Sequence, residues 1–225
     1  MMNTAHSTEA AGAQAAPIAC WSCRGAVAAG MPFCATCRAV QPPGGADHFA
    51  RLGLARGYDV DIAELDRRYF ALQRQLHPDR FVAKTGRERA IAQSQAASLN
   101  DAYETLRDPL SRAVYLLRLD GILVEREDGA TISDPELLME AMEMREALAE
   151  AGDAAAVGAV AERMEHERRA TLERIATAFR AGDKDAAHKA TLRLKYLVRL
   201  DDDIRGRRAA MRVQAAKAQS ERSGS

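Results

Sequence analysis

Between residues 62 and 107, two stretches of helical periodicity flank one interruption, His77-Pro78-Asp79. This arrangement restricts the fold more than any other part of the chain. Upstream, Leu65, Tyr69, Leu72 and Leu76 recur at helical spacing, with Ile62 at the start of the same face. Downstream, Ile91, Ser94 or Gln95, Leu99, Ala102 and Leu106 describe a second helix that Asp108-Pro109 closes. Pro78 has no backbone N–H and disfavours a helical conformation at His77, so the first helix stops there. Two helices joined by a polar loop bury both stripes only by packing antiparallel. The loop tip then turns an imidazole, a rigid ring and a carboxylate toward solvent together.

The rest of the composition agrees with a helical chain. Aromatic residues make up only 5% of the 225 residues, and Ala, Leu, Glu and Arg are abundant, which favours an all-α fold over a sheet. Thirty-two basic residues balance 32 acidic ones, so no broad nucleic-acid footprint is expected. No apolar run is long enough to span a bilayer. The first nineteen residues hold neither Lys nor Arg, against a secretory or mitochondrial leader, and the cytoplasm is the expected compartment, with the mitochondrial matrix as the alternative. His6, His48, His166 and His188 are scattered without spaced carboxylate or Cys partners, and no nucleotide-binding loop appears. The chain is therefore not expected to be an enzyme.

All four cysteines fall in one short segment, as Cys20-Trp21-Ser22-Cys23 and Cys34-Ala35-Thr36-Cys37. Two C-x-x-C pairs can each offer two thiolates from a tight turn, and zinc accepts four. Bound metal would supply folding free energy that so short a piece lacks. A structural zinc knuckle over residues 18–45 is the reading, with rubredoxin-like iron as an equal fit to the ligands. A pair of disulfides, a redox-active C-x-x-C and a nucleic-acid ribbon are the other readings of this spacing. The disulfides need an oxidising compartment. The redox site expects an α/β fold. The ribbon has only Arg24 and Arg38 for basic charge. Residues 1–17 read as a disordered tail and Gln41-Pro42-Pro43-Gly44-Gly45 as a linker or turn.

Asp47-His48-Phe49-x-x-Leu52-Gly53-Leu54, the basic residues Arg67, Arg68 and Arg74, His77-Pro78-Asp79, and Leu99-Asn100-x-Ala102-Tyr103-x-x-Leu106 together resemble the J-domain of DnaJ-type co-chaperones. Asp47 would cap a short first helix, and Asp59 or Asp61 would start the second. The resemblance implies that Arg68, Arg74, His77, Pro78, Asp79 and Arg80 dock on a heat-shock ATPase of the DnaK kind and stimulate its hydrolysis. Where common J-domains carry a Lys/Arg run, this chain has Tyr69-Phe70-Ala71-Leu72-Gln73-Arg74-Gln75, which suits a dedicated partner.

Beyond the J-domain, expected over 46–117, a short helix runs from Ser111 to Leu119. A connecting segment, 118–132, follows with a charged stretch at 125–130. Ser133-Asp134-Pro135-Glu136 reads as a capping box that opens a helix ending near Glu150. Two further helices, about 153–181 and from about 183 past Ile204, are separated by Ala-Gly-Asp joints. Together they predict an antiparallel three-helix bundle over 133–207, followed by a frayed tail over 208–225. On the first bundle helix, Leu137, Ala141, Met144 and Leu148 form one stripe, sufficient for packing. Leu138, Met139 and Met142 form a second, edged by Glu143 and Glu146. The second stripe reads either as wedged against the J-domain or as an exposed partner surface.

Leu137-Leu138-Met139-Glu140-x-Met142-Glu143-Met144-Arg145-Glu146-x-Leu148 resembles the scaffold-binding helix of HscB-type J-proteins. Asn100-Asp101-Ala102-Tyr103 through Asp108-Pro109-Leu110 to Tyr115-Leu116-Leu117 is similar to that family's junction. The resemblance covers 47 to about 205, and the knuckle resembles an extension on some eukaryotic members. It implies an L-shaped molecule, monomeric or weakly dimeric. It implies further that Leu138, Met139, Met142, Glu143, Glu146 and Tyr196 bind the IscU scaffold of iron–sulfur assembly, and that an HscA-kind ATPase is the partner. A J-protein for a general DnaK with another client, and a thiol oxidoreductase, are the alternative functions.

Overall fold

A computed structural model describes residues 17–28, 30–124 and 135–223. The tail expected before Pro17, the charged stretch at 125–130, and Ser133 and Asp134 of the expected capping box lie outside them. The chain divides into two compact units. One takes in the residues up to Arg56 and Val60–Arg107, and the other Gly57–Asp59 and Asp108–Ser225.

The first unit begins with two short strands, β1 (Ile18–Ala19) and β2 (Ala26–Val27), paired antiparallel with Ile18 opposite Val27. A single bridge, Phe33 to Val40, holds the second hairpin. Helix α1 (His48–Arg51) starts where the Asp47 carboxylate accepts from the Ala50 amide at 2.7 Å. Helix α2 (Ile62–Leu76) is capped by Asp61, which accepts from the Ala63 and Glu64 amides, so Asp61 rather than Asp59 is the start signal. A 3-10 turn, Pro78–Phe81, leads toward α3 (Gly86–Arg107). Thr85 and Glu88 form a reciprocal capping box there, Thr85 Oγ1 accepting from the Glu88 amide and Glu88 from the Thr85 amide.

Helices α2 and α3 pack as the periodicity predicts. Leu65, Tyr69 and Leu76 are buried with Ala92, Leu99, Ala102 and Leu106. Ile62, on the first turn, stays exposed. Tyr69 stacks on Tyr103 with ring centroids 3.9 Å apart and donates to Asn100 Oδ1 at 3.0 Å.

In the second unit, α4 (Pro109–Leu119) is capped by Asp108 and begins two residues before the expected Ser111. It packs with this unit, although its residues to 117 were expected within the J-domain. Three helices follow, α5 (Pro135–Glu150), α6 (Ala154–Ala181) and α7 (Lys184–Ser223). Their shared core is Leu137, Ala141, Met144 and Leu148 of α5, Val157 and Met164 of α6, and Leu197, Leu200 and Ile204 of α7. The second Ala-Gly-Asp joint does two jobs. Gly182, with φ +71°, closes α6 in the left-handed conformation that only glycine adopts without strain, and Asp183 then caps α7 through the Ala186 amide.

The expected frayed tail is instead a continuation of α7 to Ser223. Its Ala, Arg, Gln and Lys residues are strong helix formers, and they extend an already nucleated helix without needing a packed face.

Candidate functional site

Three groups of side chains were expected to carry function. The first is the cysteine cluster. Two similar turns hold it: the Cys20 amide donates to Gly25 O and the Cys34 amide to Ala39 O, while Arg24 and Arg38 sit at matching positions with φ near +63° and +64°. The turns face each other, so the close sulfurs pair between hairpins, Cys20 with Cys37 and Cys23 with Cys34, each at 3.7 Å. All four sulfurs lie within 4.8 Å of one another. A tetrahedron with metal–sulfur arms of about 2.3 Å has an edge of about 3.8 Å, so the spacing fits a four-thiolate metal ion. It is too wide for disulfides, and all four cysteines are free.

Protonation points the same way. Burial pushes the Cys20 thiol up, but the Cys23 and Ser22 amides outweigh it and bring it down to about 6. The Gly25 amide draws Cys23 down, yet sharing with the Cys37 and Cys34 sulfurs pushes it up to about 12. Four thiolates this close need a countercharge, which a metal ion supplies.

The segment expected to be a linker or turn does turn at Gly44 and Gly45, and it is fastened down. Gln41 is buried and donates to Cys20 Sγ at 3.3 Å and to Ala39 O at 2.8 Å. Gln95 of α3 donates to Gln41 O at 2.8 Å, and the buried Arg51 of α1 donates to Pro43 O and Ala46 O and reaches Gln95 Oε1. Trp21 donates to Val40 O, and the Arg87 guanidinium lies 4.3 Å over its ring. Knuckle and J-domain thus form one folded unit. Of the residues that join them, Gln95 falls on the stripe of α3, while Arg51 and Gln41 carry no sequence signal, since polar side chains separated by this much chain show no periodicity.

The second group lies at the α2–α3 corner. His77 and Asp79 are exposed at the tip, with Asp79 Oδ2 3.4 Å from His77 Nδ1. The Asp79 amide donates to the same nitrogen, and the turn is anchored below by the buried Phe81. Arg74 and Arg80 face solvent. Arg68 is half-buried and partly committed to structure: it pairs with Glu64, and its guanidinium donates to the carbonyls of Leu52 and Gly53. That contact explains Gly53, which has φ +67° and where a Cβ would stand 2.7 Å from Arg68 Nη1.

The third group is on α5. Leu138, Met139 and Met142 are 37%, 64% and 63% exposed, opposite the buried Leu137, Ala141, Met144 and Leu148. Glu143 and Glu146 flank them at the surface, Glu143 lying 3.6 Å from Arg163 of α6. Tyr196 does not join this stripe. It is buried behind α5, and its hydroxyl donates to Ala141 O at 2.8 Å. Its burial follows from α7 presenting Leu197, Leu200 and Ile204 to the same core. Arg193 of α7 ties the three helices together, pairing with Glu140 of α5 and Glu167 of α6.

With this geometry in view, comparison with known proteins is direct. The family described as HSCB C-terminal oligomerisation domain matches residues 133–205, and the DnaJ domain matches 47–115. The iron-sulfur cluster co-chaperone protein HscB of Mus musculus is 36% identical over 204 residues, covering 88% of this chain and 86% of that protein. The chain belongs to the HscB family of J-domain co-chaperones. Among bacterial HscB relatives, the co-chaperone protein HscB homolog of Cupriavidus taiwanensis is 41% identical over 160 residues, 70% of this chain and 90% of that one. The crystal structure of human co-chaperone protein HscB is similar with a TM-score of 0.78 at 33% identity, over 84% of this chain and 98% of that one. Among the described residues no helix is long and apolar enough to cross a membrane.

Proposed function

We propose that this HscB-family chain acts in iron–sulfur cluster assembly by holding an IscU-type scaffold on α5 and presenting it to an HscA- or DnaK-type ATPase. The observation that carries the reading is the second stripe of α5. Leu138, Met139 and Met142 stand in solvent on a helix whose packing needs are already met by another face. Exposed methionines adapt to a partner surface, and the glutamates beside them set orientation. Tyr196 contributes from behind by fixing the register of α5 rather than by touching the scaffold.

The loop of His77, Pro78 and Asp79, with Arg74 and Arg80 beside it, meets the ATPase and stimulates hydrolysis. Its charges steer toward an acidic partner, and the Asp79 carboxylate is open to pair with a partner arginine. One chain that binds both proteins raises the scaffold's local concentration at the ATPase. The chain supplies no catalytic group of its own. Cys20, Cys23, Cys34 and Cys37 hold a structural zinc ion, and elemental analysis should find one zinc and no iron per chain.

The deciding experiment is calorimetry of an IscU-type scaffold with the wild type and with a Leu138→Ala, Met139→Ala, Met142→Ala variant, each checked for helicity. Lost affinity with retained helicity supports the reading. Unchanged affinity sinks it.

A further inference from the structure

A groove of about 780 Å³ opens in the first unit, between the second cysteine hairpin and the corner of α2 and the 3-10 turn. Met31 and Leu72 line it with apolar surface, while Arg38, Arg80 and Lys84 stand at its rim against one carboxylate, Glu88. Glu88 is already engaged as the cap of α3. No carboxylate is paired with Arg38, Arg80 or Lys84 among the described residues. Met31 is 55% exposed, which is unusual for an apolar side chain in so small a folded piece.

The groove is also preformed. Gly30, at φ +81°, brings its hairpin so close to α1 that a Cβ would meet Ala50 O at 3.2 Å. The Gln41–Gln95–Arg51 bonds hold the opposite side of the knuckle. A rigid surface loses little freedom on binding. An apolar wall with three cations to one carboxylate fits a segment that carries an apolar side chain beside carboxylates, and it disfavours a basic one.

We propose that this groove is a second contact for the chaperone ATPase, taking an acidic, apolar-anchored segment of that protein, and that the knuckle's part is to supply Met31 and Arg38. This rests on the reading that the His77-Pro78-Asp79 loop meets the ATPase. Arg80 directly follows Asp79, so a protein seated on the loop reaches the groove next. The loop tip alone offers far less than the roughly 800 Å² that each partner buries in a typical stable complex.

The test is a titration of ATPase stimulation, with a purified HscA-type chaperone as probe and the full chain throughout. The variants are Met31→Asp with Arg38→Gly, Lys84→Glu alone, and His77→Gln. Glycine suits the left-handed backbone at residue 38. The double variant should raise the half-maximal concentration roughly tenfold, and Lys84→Glu severalfold, with maximal stimulation retained. Bound metal confirms that the knuckle is intact, and if the double variant loses it, Lys84→Glu decides. If His77→Gln abolishes stimulation while the groove variants match wild type, the groove proposal is overturned and the loop's role stands. If His77→Gln changes nothing, the loop reading fails first and the groove falls with it. If the groove variants weaken calorimetric binding of the IscU-type scaffold instead, the occupant is the scaffold, and the proposal is overturned.

Discussion

The two units hold together by different means and offer opposite surfaces. The first is assembled from short elements joined by specific polar bonds: a cysteine cluster, buried Gln41, Gln95 and Arg51, and a tyrosine stack. Its exposed loop tip is charged and polar, with His77, Asp79, Arg74 and Arg80, although Met31, Phe70 and Val82 also stand in solvent elsewhere on the unit. The second relies on long helices around apolar clusters, and on α5 it leaves an apolar stripe uncovered. A polar surface with unpaired charge acts at a distance and is screened by salt. An apolar one acts only on contact and is nearly indifferent to salt. In the function proposed above, the first surface would suit rapid encounters with the ATPase and the second a lasting grip on the scaffold.

Metal removal should separate the units most sharply. Structural zinc contributes on the order of 10 kcal/mol to folding in small metal domains. Chelation should therefore unfold the knuckle and leave the helices of the second unit intact. Trp21 is the one tryptophan in the chain, and it is packed against Val40 and Arg87, so its fluorescence reports the knuckle alone. Its emission should shift to that of a solvated indole while far-ultraviolet ellipticity barely changes.

Next in size is a crossed experiment. Truncating Leu138, Met139 and Met142 to alanine should weaken scaffold binding about 100-fold or more, since each buried side chain contributes about 1.5 kcal/mol or more. Intrinsic stimulation of the ATPase should be unaffected. His77→Gln should do the converse, removing stimulation while scaffold affinity stays within about twofold of wild type. Loss of both functions in either variant would merge the two surfaces into one.

Salt should sharpen the same contrast more gently. Between about 0.05 and 0.3 M salt, the half-maximal concentration for stimulation should rise severalfold while scaffold affinity holds nearly steady. The smallest effect is on stability. Tyr69→Phe removes the bond to Asn100 but keeps the stack on Tyr103, and should cost about 1 kcal/mol in denaturant unfolding.

The helices were legible because their ends are written in chemistry that acts locally. Asp47, Asp61, Asp108 and Asp153 each accept from an amide in the first turn of the helix that follows. The C-x-x-C pairs likewise announce a site whose ligands come two to a turn. What could not be read required knowing which side of a helix faces which neighbour. Tyr196 sits on a helix with apolar residues on several sides, so its periodicity left open whether the ring faced α5 or a partner. Gln95 falls on the stripe of α3, but Arg51 and Gln41 appear as ordinary surface residues until the fold brings them to it. Residues 208–223 read as a tail because they are polar, whereas good helix formers carry α7 through them and Met211 still packs against the bundle core.

The cysteine cluster is also lopsided. Cys20 and Cys34 are buried, and Cys23 and Cys37 are exposed, so each hairpin contributes one inner and one outer sulfur. Gln41 holds Cys20 from inside by a hydrogen bond, while the outer sulfurs face water. An ion bound here would therefore be reached by a competing thiol or an oxidant from the side of Cys23 and Cys37, and its exchange would start there while the inner pair kept its place.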